Sequence, residues 1–206
     1  MARLILFDLD GVLVDLVDAH HTCLNKAIAE IVGPEYIITD EDFPRYNGLP
    51  TRVKLERLTE EKGLFGGHYH EIAARKQQLT IRYMYDVLKP EDYAQQRKCL
   101  HQLKNIGYTV GICSNSVRET VRAAVKTLQY DECIDFFLSN NDVKRPKPNP
   151  EIYLRGMIEV GVGPLDTTIV EDSEVGRQAA ISSGARLIKV RSPQDVSFPM
   201  MEFYLI

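Results

Sequence analysis

Residues 4–15 of the chain read LILFDLDGVLVD, and this stretch decides the fold. Four apolar residues in a row, residues 4–7, predict a short strand that is buried on both faces. Asp8 and Asp10 follow at the carboxyl end of that strand, and Gly11 allows the backbone to turn away. In an open parallel sheet, ligands bind in the crevice outside the carboxyl ends of the strands. The two aspartates are therefore candidates for metal binding and covalent chemistry.

Short apolar runs alternate with helical patterns in the second half of the chain. Further strands are predicted at residues 109–113, 134–138, 167–170 and 186–190. Amphipathic patterns predict helices at residues 93–105, 117–128, 150–160 and 175–182. This alternation is typical of an α/β fold with a doubly wound parallel sheet that helices cover on both faces. The tail after Pro193 carries no clear pattern.

The segment that follows the first strand differs in composition from the rest of the chain. Apolar residues at helical spacing predict a helix at residues 16–31, which a Gly-Pro pair ends. The charge-rich stretch after it carries two further helical patterns, at residues 52–62 and 70–85. We therefore predict a small α-helical insert at residues 16–86. The α/β core is predicted to comprise residues 1–15 and 87–206.

Composition excludes several classes of protein. The chain has 206 residues, of which 44% are hydrophobic and 26% charged, and this allows a sizeable core. A net charge of −4 argues against a surface for nucleic acid or anionic membranes, and no apolar run approaches the length of a membrane span. The four cysteines form no CxxC pair, which disfavours a disulfide framework or a zinc site and favours a reducing compartment. We predict a soluble cytoplasmic protein that binds neither nucleic acid nor membranes.

Polar or small residues also follow the later predicted strands. The second strand is followed by SNS at residues 114–116, and the third by SNND at 139–142 and the basic run KRPKP at 144–148. The fourth strand is followed by Glu171, Asp172 and a serine. Because the carboxyl ends of parallel strands meet at one edge of a sheet, these groups are expected to converge on Asp8 and Asp10.

Such a set of groups suits phosphoryl transfer. Hard oxygen ligands from Asp8, Asp172 and a backbone carbonyl suit Mg²⁺. A carboxylate beside the metal can attack phosphorus and form an aspartyl phosphate. A second carboxylate can protonate the leaving oxygen and then deprotonate the incoming water. A lysine and hydroxyl or amide donors can hold the phosphoryl oxygens while charge redistributes.

Four motifs carry a resemblance to a known family. They are FDLDGVL at residues 7–13, CSNS at 113–116, KPNPEIY at 147–153 and VEDS at 170–173. In order and spacing they resemble the haloacid dehalogenase superfamily, over nearly the whole chain. The most similar branch carries a small helical cap after the first motif and includes sugar-phosphate phosphatases and β-phosphoglucomutase. The resemblance implies a Rossmann-like core, a cap at residues 16–86 and Mg²⁺ as the cofactor.

The resemblance also implies roles for the carboxylates. Asp8 would be the nucleophile and a Mg²⁺ ligand. Asp10 would be the general acid and base, with its backbone carbonyl on the metal, and Glu171 and Asp172 would complete the metal site. Asp10 also argues against the dehalogenases and phosphonate hydrolases of the superfamily, which have a different residue at this position. The implied substrate is a phosphate ester.

Three further core residues gain implied roles. Ser114 would bind the phosphoryl group, with Asn115 close by as a substrate contact. Lys147 would neutralise the nucleophile and the phosphate. After the serine of the second motif, mutases of this branch continue with Ala-Ser-Lys-Asn, whereas residues 115–118 of this chain read NSVR. This departure favours a phosphatase over a mutase.

The insert offers candidate substrate contacts of weaker specificity. Residues 48–52, which include Gly48 and Arg52, resemble the cap segment whose arginine reaches the distal part of a substrate. His20 and Lys76 lie where the mutase branch has hinge and cap residues. Each of these side chains also has a plainer interpretation, since Arg52 and Lys76 suit a solvated helix face and His20 suits a packed or capping position.

Three functions stay open at this point. The first is a Mg²⁺-dependent phosphatase for a small phosphorylated metabolite, such as a sugar phosphate or phosphoglycolate. The second is a β-phosphoglucomutase-like phosphomutase, in which a substrate hydroxyl replaces water as the acceptor. The third is a non-catalytic phosphate-binding or regulatory relative, which the complete set of competent residues disfavours. The sequence leaves the particular substrate and the oligomeric state open.

Overall fold

A computed structural model describes residues 3–64 and 66–205 of the chain. The chain divides into two compact units. We call Met1–Asp15 together with Leu88–Ile206 the core unit, and Leu16–Val87 the helical unit.

The secondary structure alternates between strands and helices only in the core unit, as far as the described residues extend. The strands are β1 (Arg3–Phe7), β2 (Tyr108–Cys113), β3 (Phe136–Leu138), β4 (Thr167–Glu171) and β5 (Arg186–Lys189). The helices of the helical unit are α1 (Val17–Ile31), α2 (Phe43–Tyr46), α3 (Thr51–Lys62) and α4 (Tyr69–Val87). Those of the core unit are α5 (Ala94–Asn105), α6 (Arg118–Thr127), α7 (Glu151–Val160), α8 (Glu174–Ser183) and α9 (Phe198–Leu205).

The five strands form one parallel sheet in the order β3-β2-β1-β4-β5. The predicted α/β class with a doubly wound parallel sheet is therefore confirmed. From β1 the chain builds the sheet outward through β2 and β3, and then crosses back to add β4 on the other side of β1. The strand order thus reverses between β1 and β4, which is where open α/β sheets bind their ligands.

β1 lies in the centre of the sheet and is buried on both faces. Residues 4–7 have no exposed surface, as the uninterrupted apolar run predicts. On one face, Leu4 and Leu6 share a core cluster with α7 and α8 residues. Gly156 brings the α7 backbone close to the sheet, because a Cβ at this position would lie 3.1 Å from Leu6. The strand that carries Asp8 therefore has a rigid base.

Two parts of the core unit differ from the sequence-based expectation. The strand predicted at residues 134–138 begins only at Phe136, because the Asp135 carboxylate accepts a hydrogen bond of 2.8 Å from the Val110 N–H where a ladder bond would otherwise form. The tail after Pro193, which carries no clear pattern, forms α9. Of α9, Met201 is buried while Phe203 is 79% exposed. Because large apolar residues lie on its exposed side as well as on its buried side, this short helix has only a weak amphipathic pattern.

The helical unit has its own hydrophobic core. Residues of α1, α3 and α4 meet in one cluster that contains Leu24, Ile28, Leu55, Leu58 and Ile72. Asn25 fastens the loop after α1, because its side chain donates 2.7 Å to the Ile38 carbonyl and accepts 2.8 Å from the Ile38 N–H.

Within the described residues, no helix has the length and apolar character needed to cross a membrane. The four cysteines are buried and free of disulfide bonds.

Candidate active site

Three carboxylates meet where β1 and β4 end. The register pairs Phe7 with Val170, and the Asp8 N–H donates 3.0 Å to the Val170 carbonyl. Asp8 therefore leaves β1 directly beside Glu171 and Asp172 at the end of β4. One carboxylate oxygen from each of the three residues lies within 4.8 Å of the others. We call Asp8, Glu171 and Asp172 the carboxylate cluster.

Lys147 joins three strand ends through its ammonium group. Its Nζ donates 2.9 Å to Asp8 Oδ1, 2.6 Å to Glu171 Oε1 and 2.8 Å to the Cys113 carbonyl at the end of β2. A lysine ammonium has three N–H donors, and these three bonds use all of them. Only 3% of the Lys147 side chain is exposed, so the group is held in a fixed direction. The ammonium is thus directed at Asp8, whereas the roles of Asp8 as nucleophile and of Lys147 in neutralising it stay predictions.

Asn115 positions the backbone of Lys147. The Lys147 N–H donates 3.0 Å to Asn115 Oδ1, and Asn115 Nδ2 donates 3.3 Å to the Lys147 carbonyl. This reciprocal pair connects the loop after β2 to the loop that carries the lysine. The predicted substrate contact of Asn115 stays a prediction, and the structure shows that the amide orients Lys147.

Glu171 is completely buried and has polar partners on both of its oxygens. Oε1 accepts 2.5 Å from the Tyr153 hydroxyl in addition to its bond from Lys147. Oε2 accepts from Ser173, at 3.3 Å from the hydroxyl and 3.4 Å from the N–H. Gly176 leaves the space that this carboxylate fills, since a Cβ there would come within 1.9 Å of Oε1.

Asp172 packs against the turn that follows β1. A Cβ on Gly11 would lie 2.3 Å from Asp172 Oδ2, and Gly11 has a φ of 83°, which is in the left-handed region. Both facts favour glycine at position 11. Gly11 therefore allows the turn and also leaves the space that the Asp172 carboxylate occupies directly after β4.

The electrostatics of the carboxylate cluster disfavour three free negative charges. Burial raises the pKa of Asp8 well above its usual range; the Lys147 charge opposes this shift, and the Glu171 and Asp172 charges reinforce it. Burial, followed by the charge of Glu171, raises the pKa of Asp172 to about 6. Burial acts to lower the pKa of Lys147, but Asp8 and Glu171 outweigh it and raise the pKa above its ordinary value. The lysine therefore stays charged, and the raised pKa values of Asp8 and Asp172 show that its single charge does not offset full ionisation of the cluster.

A divalent cation fits this arrangement. Three carboxylates face the single ammonium of Lys147, so full ionisation leaves an excess of two negative charges. Asp172 Oδ1 is buried and has no hydrogen-bond partner among residues 3–64 and 66–205. A buried carboxylate oxygen without a partner raises the free energy of the folded state. A set of oxygen ligands suits a hard cation such as Mg²⁺. The side chains that could hold it are those of Asp8, Glu171 and Asp172.

The remaining predicted residues of the core unit lie at the same sheet edge. Ser114 follows β2, is 2% exposed, and accepts a 3.1 Å hydrogen bond from the Ser116 N–H on its hydroxyl. Asp10 is partly exposed, and its carboxylate is outside the carboxylate cluster. It lies in the turn that Gly11 closes by donating 2.7 Å to the Val14 carbonyl. Its metal contact through the backbone carbonyl and its role in proton transfer stay predictions.

The predicted contacts in the insert all belong to the helical unit. Lys76 Nζ lies 2.9 Å from His20 Nδ1, and burial, followed by the charges of Lys76 and Lys54, lowers the pKa of His20 well below its usual range. Arg52 is 84% exposed and pairs with Glu56 at 2.9 Å. Gly48 has a φ of 74° in the turn before α3. The structure brings His20 and Lys76 together, whereas Arg52 lies on a solvated helix face.

Two side chains that sequence reasoning left without a role stand out. Tyr153 belongs to the third motif, but only the folded structure shows its hydroxyl on Glu171. Lys54 is 7% exposed, which is unusual for lysine, and it lies close enough to His20 to lower that pKa. Its i, i+4 spacing from the apolar Leu58 was the available signal for burial.

Comparisons with known proteins agree with the fold and the motifs. The model of the haloacid dehalogenase-like hydrolase family matches residues 5–190. The β-phosphoglucomutase of Bacillus subtilis is 31% identical over 206 residues, covering 94% of this chain and 85% of that protein. The phosphoglycolate phosphatase of Aquifex aeolicus is 28% identical over 184 residues, covering 89% and 82%. A solved β-phosphoglucomutase from Clostridium difficile has the same fold, with a TM-score of 0.85, 20% identity and coverage of 98% of this chain and 96% of that one.

Two findings define the class of enzyme. Acidic groups lie where the strand order of the parallel sheet reverses, and the family model matches most of the chain. The chain belongs to the haloacid dehalogenase-like hydrolase family. The predicted superfamily and its phosphatase and phosphomutase-like character are confirmed.

Proposed function

We propose that the protein is a Mg²⁺-dependent phosphatase that hydrolyses a small phosphorylated metabolite through an aspartyl-phosphate intermediate on Asp8. One observation carries the proposal: the buried carboxylate cluster, with Lys147 bonded to Asp8 and an unpartnered oxygen on Asp172, lies where the strand order reverses. The names of similar proteins support a phosphate ester as the substrate, because they include phosphatases and a phosphoglucomutase.

The chain's own residues divide the work of two displacement steps. An Asp8 oxygen forms a bond to phosphorus while the bond from phosphorus to the substrate oxygen breaks, and Asp10 gives its proton to that leaving oxygen. Water then attacks the phosphoryl group and gives a proton to Asp10, and the bond between Asp8 and phosphorus breaks to release phosphate. Ser114 donates a hydrogen bond to a phosphoryl oxygen, and the positive charge of Lys147 offsets the negative charge of Asp8 and the phosphoryl group. Asp8, Asp172, Glu171 and the Asp10 carbonyl would hold Mg²⁺, which would supply Lewis-acid charge neutralisation when bound.

The helical unit is proposed to be the cap that selects the substrate. The expected insert at residues 16–86 stays a proposal in this role, as do the substrate contacts of Gly48, Arg52, His20 and Lys76. Lys54 and Lys76 are buried in the helical unit, and they support an anionic substrate because cations recognise phosphate or carboxylate groups. Closure of a cap would exclude water from the site during the first displacement step, in which Asp8 and not water must attack phosphorus.

A phosphomutase is the second candidate function. The B. subtilis β-phosphoglucomutase is 31% identical to the chain, which favours it. Against it stands the NSVR sequence at residues 115–118, where Asn115 holds the Lys147 backbone and Arg118 pairs with Asp142. These side chains are engaged within the core unit, so the phosphatase is the better-supported function.

A phosphate-release screen separates the candidates. Purified protein with Mg²⁺ is offered small phosphorylated metabolites, and β-glucose 1-phosphate is also followed for conversion to the 6-phosphate. A phosphatase releases phosphate, loses activity in EDTA and regains it with Mg²⁺. Isomer conversion with little free phosphate would replace the proposal by a mutase. Phosphoenzyme without steady turnover would favour a regulatory relative, and turnover in EDTA would refute the metal site.

The proposed partners are limited to a small phosphorylated metabolite. The net charge of −4 gives no support to nucleic-acid binding. The cytoplasmic location stays a prediction from the sequence.

A further inference from the structure

Tyr153 lies at the contact between the lysine and the glutamate of the site. It sits in the first turn of α7, six residues after Lys147, and has no exposed surface. Its hydroxyl donates 2.5 Å to Glu171 Oε1, the same oxygen that accepts 2.6 Å from Lys147. Its ring also faces the ammonium, with Lys147 Nζ 4.8 Å from the ring centroid. One side chain therefore contacts both charged groups.

From these contacts we propose that Tyr153 is a positioning residue, whose hydroxyl holds Glu171 so that Lys147 remains directed at Asp8. The inference rests on the proposed function, since it assigns Tyr153 a part in the same reaction. Tyr153 is completely buried, and its hydroxyl acts through Glu171 and Lys147 rather than on substrate.

The physical argument concerns competition for one ammonium group. Lys147 divides its three N–H donors among Asp8, Glu171 and the Cys113 carbonyl. The Tyr153 hydroxyl supplies one of the two hydrogen bonds that Glu171 Oε1 accepts from Tyr153 and Lys147. Without the hydroxyl, Lys147 would be the remaining donor shown on that oxygen and would be drawn toward Glu171, away from Asp8. The aromatic face stabilises the ammonium in its present position by a cation–π contact.

The surroundings of Glu171 leave it little freedom to adapt. A Cβ at Gly176 would lie 1.9 Å from Oε1, so the α8 backbone closes one side of the carboxylate. Ser173 holds Oε2 on another side. Glu171 therefore cannot rotate to compensate for the loss of the Tyr153 hydroxyl, and Lys147 is the group that moves.

The test is the Tyr153→Phe variant, which keeps the ring and its packing and removes only the hydroxyl. Tyr46→Phe is the matched control, because Tyr46 is 1% exposed and its hydroxyl donates 2.7 Å to Glu61 within the helical unit. We expect kcat for phosphate release to fall on the order of 10-fold in Tyr153→Phe with KM within about twofold, as for loss of a hydrogen bond that orients a proposed metal ligand. Tyr46→Phe should leave both constants within about twofold.

A crystal structure of each protein supplies a readout that does not depend on activity. In Tyr153→Phe the separation of Lys147 Nζ from Asp8 Oδ1 should exceed the 2.9 Å of the wild-type chain. An unchanged Lys147 position with an unchanged kcat would overturn the inference. So would a wild-type crystal structure in which the Tyr153 hydroxyl makes no bond to Glu171, and this measurement also decides the matter if the variant does not fold.

The two proposals fail in different ways. If wild-type protein released phosphate from no ester, the proposed function would fail, and the Lys147 position in the variant crystal would still decide the role of Tyr153. If wild-type protein were active and Tyr153→Phe equally active with Lys147 in place, only the positioning role would fail.

Discussion

The backbone and the side chain of Asp8 bond to different parts of the core unit, so its role in the sheet can be separated from its role in the site. Its N–H belongs to the sheet through the Val170 carbonyl, while its carboxylate belongs to the site through Lys147. A substitution that keeps the backbone and the side-chain size therefore removes the proposed nucleophile without removing the strand contact.

Asp8→Asn should abolish turnover and keep the fold. An amide cannot form the acyl phosphate, and loss of a nucleophile lowers kcat by roughly 10³-fold or more. The melting temperature should be maintained or raised, because one of three mutually repelling carboxylates becomes neutral while Lys147 keeps its ion pair with Glu171. Phosphate release and thermal unfolding measure the two effects. The exposed Asp131 provides the control as Asp131→Asn, and appreciable turnover in Asp8→Asn would refute the phosphoenzyme mechanism.

Gly176→Ala should damage both stability and activity. The new Cβ would collide with the Glu171 carboxylate, which is buried and bonded to Lys147 and Tyr153. Overpacking of this kind destabilises by about 1–3 kcal/mol, and displaced Glu171 would also disturb Lys147. Urea unfolding and kcat are the measurements. Gly163→Ala is the matched control, because a Cβ there meets nothing within 4 Å, and equal effects of the two variants would contradict the steric argument.

At the scale of elements, α8 begins directly at the site. Ser173 is its N-cap, and the hydroxyl accepts 3.0 Å from the Gly176 N–H. The same hydroxyl lies 3.3 Å from Glu171 Oε2. The start of the helix and the position of the glutamate are therefore set by one short segment.

Ser173→Ala should reduce the free energy of unfolding by about 1 kcal/mol, which is typical for loss of an N-cap. For a chain of this size the melting temperature should fall by about 2–4 °C. Ser182→Ala, an exposed position late in the same helix, should be neutral or slightly stabilising, because alanine is the better helix former. Calorimetry of both variants tests the prediction, which an unchanged melting temperature for Ser173→Ala would contradict.

At the scale of the whole molecule, the carboxylate cluster should make stability depend on pH and on cations. Asp172 has a raised pKa of about 6 against an ordinary value of 3.8, so the folded chain binds more protons than the unfolded chain between these values. Stability then falls as pH rises through this window, because it rises with pH only where the unfolded state binds more protons. Above it, Mg²⁺ should restore stability by binding the ionised carboxylates of the folded state.

Melting temperatures measured across this range in EDTA and in Mg²⁺ test the prediction. The decline between pH 3.8 and about 6 in EDTA should be smaller in Asp172→Asn than in the wild-type chain, and Mg²⁺ should raise the wild-type melting temperature most near neutral pH. Parallel pH profiles of the two proteins would show that Asp172 is not the group responsible.

Much of the fold could be predicted because its signals are local. The apolar run at residues 4–7, the later strands and their intervening helices follow from periodicity, and the parallel sheet follows from their alternation. The late start of β3 could not be predicted, because it depends on Asp135 replacing a ladder bond to Val110, a residue 25 positions earlier. The α9 helix has too short and too weak an apolar pattern to be recognised.

The sequence by itself determined the residue types of the site and the order in which the strands present them. Asp8, Lys147, Glu171 and Asp172 could be selected because each follows an apolar run or lies in a motif of fixed spacing. Only the tertiary structure decided that Lys147 uses all three donors, that Asn115 holds its backbone, and that Tyr153 completes Glu171. The physical reason is that these bonds join segments 18 to 139 residues apart, and their geometry exists only after β1, β2 and β4 have paired.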